Sequence, residues 1–285
     1  MAFNWQTFRT RSLTAAVFVV VMLAGLLWNE WSFFLLFSVV HFGAWVEYVR
    51  LVEKFNPDYK KIIGFHRYGV MVGGWCLMLF FSNYELVVGG LALTDLGFWG
   101  GLLFAILLPL MMLIESRNVF LKNIVYSLFG LLYISLTLAL LVNMRTRWTE
   151  AQFELSMTIP LLTIFSLWIN DTMAYITGSI FGKTPLSPIS PKKTWEGTIG
   201  GILLTILTIS LIAHFTGRLA IHHAAIMAGL AAISGTYGDL FESKLKRMAG
   251  VKDSGSIMPG HGGFLDRFDS VLFAIVPVWL YASFL

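Results

Sequence analysis

The feature that most constrains this chain is the recurrence of unbroken apolar runs about as long as a bilayer is thick. Nine such blocks can be marked off, at 13–28, 31–48, 68–82, 97–114, 124–143, 157–178, 198–214, 223–240 and 268–285. A helix of roughly 20 apolar residues crosses the ~30 Å hydrocarbon core. Lipid offers no partner for backbone N–H and C=O groups, so only helices or closed barrels can span it. A barrel would show segments of about 10 residues alternating in polarity, and the run Leu102 to Leu113 does not alternate. The expected fold is therefore an all-α polytopic integral membrane protein with about nine transmembrane helices. Composition agrees, with 57% hydrophobic and 13% charged residues among 285, against roughly 25% charged in soluble domains. A water-soluble monomer is excluded.

Three local features refine this picture. Arg9 and Arg11 ahead of 13–28 imitate a secretory signal, yet no small-x-small cleavage site precedes Trp28-Asn29-Glu30, so the block reads as the first span. The stretch 86–94 would rise only about 14 Å as a helix and is expected to form an extension or a re-entrant piece. The single cysteine, Cys76, excludes an internal disulfide and is expected to pack in the core or face lipid.

Orientation follows from the basic residues, because cytoplasmic loops are enriched in Lys and Arg. With the N-terminus inside, 17 of the 20 fall on one side, and Arg145, Arg147 and Arg218 on the other. The N-terminus is expected to be cytoplasmic and the C-terminus outward, with basic cytoplasmic loops at 49–67, 179–197 and 241–267. A bacterial inner membrane is the expected location. The net charge of +4 thus averages a strongly basic face with a nearly neutral one, and anionic headgroups or phosphate substrates are its natural partners. Nucleic acid is not, since no reading module is present. One membrane domain over 1–285 is expected, with its chemistry in the half 157–285. A homo-oligomer is compatible with such a surface but not specified by it.

Between Asp239 and Asp269 ten of 31 residues are charged, five acidic and five basic. Ion pairing in a solvated loop is the plain reading. The spacing favours another: Asp266 and Asp269 stand three apart at the mouth of the last span and share a helical face, while Asp239 ends the preceding span. Three carboxylates brought together would suit Mg²⁺, a hard cation that also prefers phosphate oxygens. Lys246 lies two helical turns beyond Asp239, so a continuing helix would point both into one cavity. The run Pro259-Gly260-His261-Gly262-Gly263 offers backbone that phosphate oxygens can approach. His261 could orient a phosphate, bind a leaving pyrophosphate or hydrogen-bond its own loop.

A second polar block, Asn170-Asp171-Thr172, falls inside an apolar span, where an aspartate costs roughly 2.5–3.5 kcal/mol on insertion scales and is expected to face a polar cavity. Gly178 to Thr184 imitates a phosphate-binding P-loop but is one residue short and follows a membrane helix rather than a strand. There is no His-Glu-x-x-His and no Cys-x-x-Cys, so a zinc hydrolase lacks its ligands. His41 reads as packing, and His222-His223 as lying on the outer side.

At this point Ser243-Lys244-Leu245-Lys246-Arg247, Lys252-Asp253 and His261-Gly262-Gly263-Phe264-Leu265-Asp266-Arg267-Phe268-Asp269 are seen to resemble the signature of the phosphatidate cytidylyltransferase (CDP-diacylglycerol synthase) family. The block Ser190-Pro191-Lys192-Lys193-Thr194-Trp195-Glu196-Gly197 is similar to another part of that family. Met258 stands where Ile, Leu or Phe is expected, and Met173 where a small residue is usual. The resemblance implies transfer of the cytidylyl group of CTP to phosphatidate, giving CDP-diacylglycerol and pyrophosphate. It implies Mg²⁺, with room for a second cation, on Asp239, Asp266 and Asp269. It places Lys246, Arg247, Lys252, Asp253, His261 and Arg267 in catalysis, and Lys192, Lys193, Ser243, Gly262 and Gly263 against the substrates. A CTP-dependent lipid kinase would share substrate and metal. A cation- or proton-coupled transporter, suggested by Asp171, would instead gather its charge near the midplane.

Overall fold

A computed structural model describes residues 5–83, 85–114, 121–148, 153–257 and 262–285. Among these, nine helices carry the chain: α1 Trp5–Leu27, α2 Glu30–Phe55, α3 Gly64–Phe80, α4 Leu93–Ile114, α5 Leu121–Thr146, α6 Phe153–Phe181, α7 Trp195–Thr216, α8 Ile221–Met248 and α9 Leu265–Ala282. Each predicted apolar block lies on one of them. Six, namely α2 and α4 to α8, have windows long and apolar enough to cross a membrane. The protein is an integral membrane protein built of helices.

The differences from expectation lie between the helices. The stretch 86–94 holds a small antiparallel hairpin pairing Val87–Val88 with Leu91–Ala92. Gly89 and Gly90 between them have φ of 59° and 85°, the left-handed pair a two-residue turn requires. The loop expected over 241–267 is shorter, because α8 runs on to Met248 before the chain leaves it at Gly250, φ 67°. The turn of α8 that bears Lys246 and Arg247 is thus helical, as the placement of Lys246 two turns beyond Asp239 required.

The chain divides into two compact units. The first comprises residues 1–143 and 248–267. Its core is the buried face of α2, where Phe33, Phe37, Val40, Ala44, Trp45, Tyr48 and Val52 recur at helical spacing. The start of α2 is fastened by a capping box between Asn29 and Ser32. Against α2 lies the π-helical stretch Leu131–Leu136 of α5, whose Ser135 Oγ meets His41 Nε2 and Trp45 Nε1, each at 2.9 Å. His41 is packing, as the sequence indicated, and Cys76 is buried against Gly100.

The second unit comprises residues 144–247 and 268–285. Here α6 and α7 lie close because small residues meet: a Cβ on Gly197 or Gly201 would press on Ala174 and Gly178. Thr177 Oγ1 adds a 3.0 Å bond to Gly197 O across the pair. The apparent phosphate-loop glycines, Gly178 and Gly182, are spent on this packing. Gly235 and Gly238 of α8 similarly admit Leu167 of α6 and the backbone of Asp269.

Candidate active site

In the second unit one stripe of α6 carries Asp171, Ala174, Tyr175 and Gly178, which recur at three- and four-residue steps. Together with Lys192, Lys193 and Thr194, the first turn of α7, and Thr236 and Asp239 of α8, they line a cavity of about 540 Å³. Asn170 also lines it, is buried, and has no partner for its Oδ1 among the described residues.

The lysines reach this cavity because the loop before α7 is itself folded. Leu186 N donates to Lys193 O at 2.7 Å, and Trp195 N to Thr184 O at 2.9 Å. Thr194 caps α7 by accepting from Gly197 N. Glu196 in the first turn accepts from the backbone amides of Lys183 and Thr184, each at 3.2 Å. Lys193 Nζ is thereby held in an ion pair with Asp239 Oδ2. Ser243 Oγ, one turn beyond Asp239 on α8, donates to Asp239 Oδ1 at 3.3 Å. Asp269 is buried, within electrostatic reach of Asp239, Asp171 and Lys246.

The structure therefore brings together Lys192, Lys193 and Asp239, with Ser243 on the Asp239 carboxylate. Lys246 does not line the cavity; it pairs with the fully buried Glu242 one turn before it. Among the described residues no group of three or more His, Cys, Asp or Glu side chains converges as a metal cage. Oxygen donors predominate nonetheless, which is the donor chemistry of a hard cation. Mg²⁺ commonly takes only one or two protein carboxylates and completes its shell with water and substrate phosphate.

Lys244 and Arg247 lie on the last turns of α8 in the second unit, whereas Lys252, Asp253, Gly262, Gly263, Asp266 and Arg267 belong to the first. Asp266 Oδ2 accepts three hydrogen bonds, from Ser254 N at 2.9 Å, Ser254 Oγ at 2.8 Å and Gly263 N at 2.8 Å. Gly262 has φ 83°, so the turn here favours glycine. Lys252, Asp253 and Arg267 are exposed. His261 and Met258 lie outside the described residues.

Sequence reasoning missed Glu47. This carboxylate, 4% exposed, accepts from Phe264 N and Leu265 N, each at 2.9 Å, and from Ser254 Oγ at 2.7 Å. Gly255 and Gly263 close around it so tightly that a Cβ on either would strike it. Its signal was a carboxylate inside the apolar block 31–48. Glu196 was missed as the clamp of the lysine loop.

A polytopic helical membrane protein that gathers lysines and carboxylates in one cavity at helix ends is equipped to hold a phosphate-bearing ligand. The cytidylyltransferase family model matches residues 9–285, and the chain belongs to that family. It is 43% identical over 125 residues to phosphatidate cytidylyltransferase 4, chloroplastic, of Arabidopsis thaliana, covering 44% of this chain and 32% of that protein. It is 40% identical over 149 residues to the phosphatidate cytidylyltransferase of Aquifex aeolicus, covering 52% and 53%. With that of Staphylococcus haemolyticus it shares 34% identity over 232 residues, 72% of this chain and 89% of the relative. The match thus spans about a third of the Arabidopsis relative and about half of the Aquifex one.

Proposed function

We propose that this protein transfers the cytidylyl group of CTP to phosphatidate, forming CDP-diacylglycerol and releasing pyrophosphate. The observation that carries the reading is the cavity where Lys192 and Lys193 meet Asp171 and Asp239, in a chain of the cytidylyltransferase family. A phosphate oxygen of phosphatidate would form a bond to the α-phosphorus of CTP as the α–β bridging bond breaks. That oxygen is already anionic, so no strong general base is required. The protein's contribution is positioning and charge neutralisation.

In this reading the pair Lys193–Asp239 holds two charges ready for exchange. Lys193 turns to a substrate phosphate, and the Asp239 carboxylate to a divalent cation. Asp239 and Asp269 are the proposed carboxylates for Mg²⁺, which when bound would neutralise the triphosphate and the departing pyrophosphate. Asp266 keeps its sequence-derived place as the third acidic residue, and the hydrogen bonds at its Oδ2 add a structural reason for its removal to be felt. Asn170 Oδ1 is a ready acceptor for an amino or hydroxyl group in the same cavity. Lys246, Arg247, Lys252 and Arg267 are proposed to balance the charge of the triphosphate and the lipid phosphate. Ser243 acts through Asp239. Gly262 and Gly263 let the loop approach its ligand. Asp253 and His261 retain their sequence-derived roles. The basic loops, and with them the site, are proposed to face the cytoplasm of a bacterial inner membrane, in keeping with the 17 to 3 division of Lys and Arg.

The test is Mg²⁺-dependent turnover by the purified full chain in detergent, with labelled CTP and phosphatidate. CDP-lipid and pyrophosphate in equal amounts are expected, with turnover lost on chelation. Release of CDP with a phosphorylated lipid would replace the reading with a lipid kinase, and absence of CTP consumption would overturn both.

A further inference from the structure

A second cavity, of about 300 Å³, opens between the far ends of α6 and α7. The 22 residues of α7 rise about 33 Å, which separates it from the lysine cavity at the start of that helix. Leu161, Leu162, Phe165, Ile209 and Ala213 form its walls, and Thr158 and Arg218 also line it. Its size lies at the lower end of ligand sites, which run from roughly 300 to 1,000 Å³.

We infer that this cavity binds one anionic glycerophospholipid, an acyl chain between the walls and the phosphate on Arg218. Three observations converge on that occupant. The walls are apolar and suit hydrocarbon. The Thr158 hydroxyl is buried with no hydrogen-bond partner among the described residues, whereas Thr163, Thr172 and Thr177 on the same helix each donate to the carbonyl four residues back. An unmet hydroxyl beside an apolar slot is costly and is matched by a glycerol ester oxygen. Arg218 is exposed, and has no hydrogen-bond or ion-pair partner among the described residues.

The other two cations on this side of the chain are engaged. Arg145 donates to Ser156 Oγ at 2.9 Å, and Arg147 lies 4.8 Å from the Trp148 ring centroid and donates to Ser283 Oγ at 2.9 Å. Arg218 is delivered to the cavity by Gly217, whose φ of 65° ends α7 in the left-handed conformation, with its N–H on Ala213 O. A guanidinium beside a hydrocarbon slot is complementary to an anion with a tail. A zwitterionic lipid satisfies it less well, because its own cation competes for the phosphate.

The test is photo-crosslinking of the full chain in phosphatidylcholine vesicles containing phosphatidylglycerol with a diazirine in one acyl chain, mapped by peptide mass spectrometry. Adducts are expected on Leu161–Phe165 and Ile209–Ala213. Arg218→Gln, an exposed and conservative change, should lower their yield about fivefold, the effect of roughly one cation near an anionic headgroup. A diazirine phosphatidylcholine probe should respond little to that change. Ala213→Phe, which fills the slot, should remove these adducts with Arg218 intact. Equal labelling by both lipids, insensitive to Arg218→Gln, would mean an ordinary lipid-facing wall and would overturn the inference. So would adducts that map only to other helices.

Discussion

Two buried or half-buried carboxylates, Glu47 in the first unit and Asp239 in the second, receive opposite treatment. Glu47 has backbone amides and a hydroxyl on its two oxygens and glycines pressed against it. Nothing in that arrangement can be exchanged without parting Ser254, Phe264 and Leu265 from the carboxylate. Asp239 is about 30% exposed, carries one long bond from Ser243 at 3.3 Å and faces a lysine on a long flexible stem. Its partner can leave when a better one arrives. Saturation of both its oxygens makes Glu47 a fastening; in the proposed function, pairing with a side-chain cation inside a cavity makes Asp239 a ligand site. The first kind is measured by stability, the second by turnover.

The sharpest way to break this contrast is Asp239→Asn. Turnover should fall by about 10²-fold or more, the scale of losing a key electrostatic group, while the thermal midpoint in detergent stays within about a degree or rises. A midpoint that falls with the activity would make Asp239 a fastening too. Next comes Glu47→Gln, which sets an amide N–H₂ against donors and should cost about 2 kcal/mol or more of stability, visible as a lowered midpoint. Gly263→Ala should act in the same direction because its Cβ meets the same carboxylate. Lys193→Gln is expected to raise KM for the phosphate substrates about tenfold with a smaller change in kcat, and to leave the midpoint near that of the parent. The smallest effect belongs to Ser243→Ala, about two- to fivefold in kcat/KM, as befits one weak hydrogen bond.

How much of this was legible in the sequence depended on how local the cause was. The apolar blocks sit on helices because length and hydropathy are properties of contiguous residues, and Asp171 was placed at a cavity because a carboxylate in such a block has few other fates. Glu47 obeyed the same rule and was passed over: its donors Phe264 and Leu265 stand 217 and 218 positions away. Lys246 was aimed at the cavity by helical spacing alone. Spacing says which way a side chain starts, and the buried Glu242 one turn back decides where its ammonium ends. The hairpin at 87–92 was signalled by Gly89-Gly90, which a length argument about membrane spans does not weigh. Lys192 and Lys193 came forward only through family resemblance, since nothing in their own stretch announces that Glu196 will fold the loop toward Asp239.

That last side chain has a consequence for binding. By accepting the amides of Lys183 and Thr184, Glu196 fastens the lysine-bearing loop to the start of a long helix before any ligand arrives. Ordering a loose loop would cost roughly 1–2 kcal/mol per residue. Here that entropy is lost at folding, so under the proposed function an incoming phosphate would meet a surface already in shape, and more of the contact energy would appear as affinity.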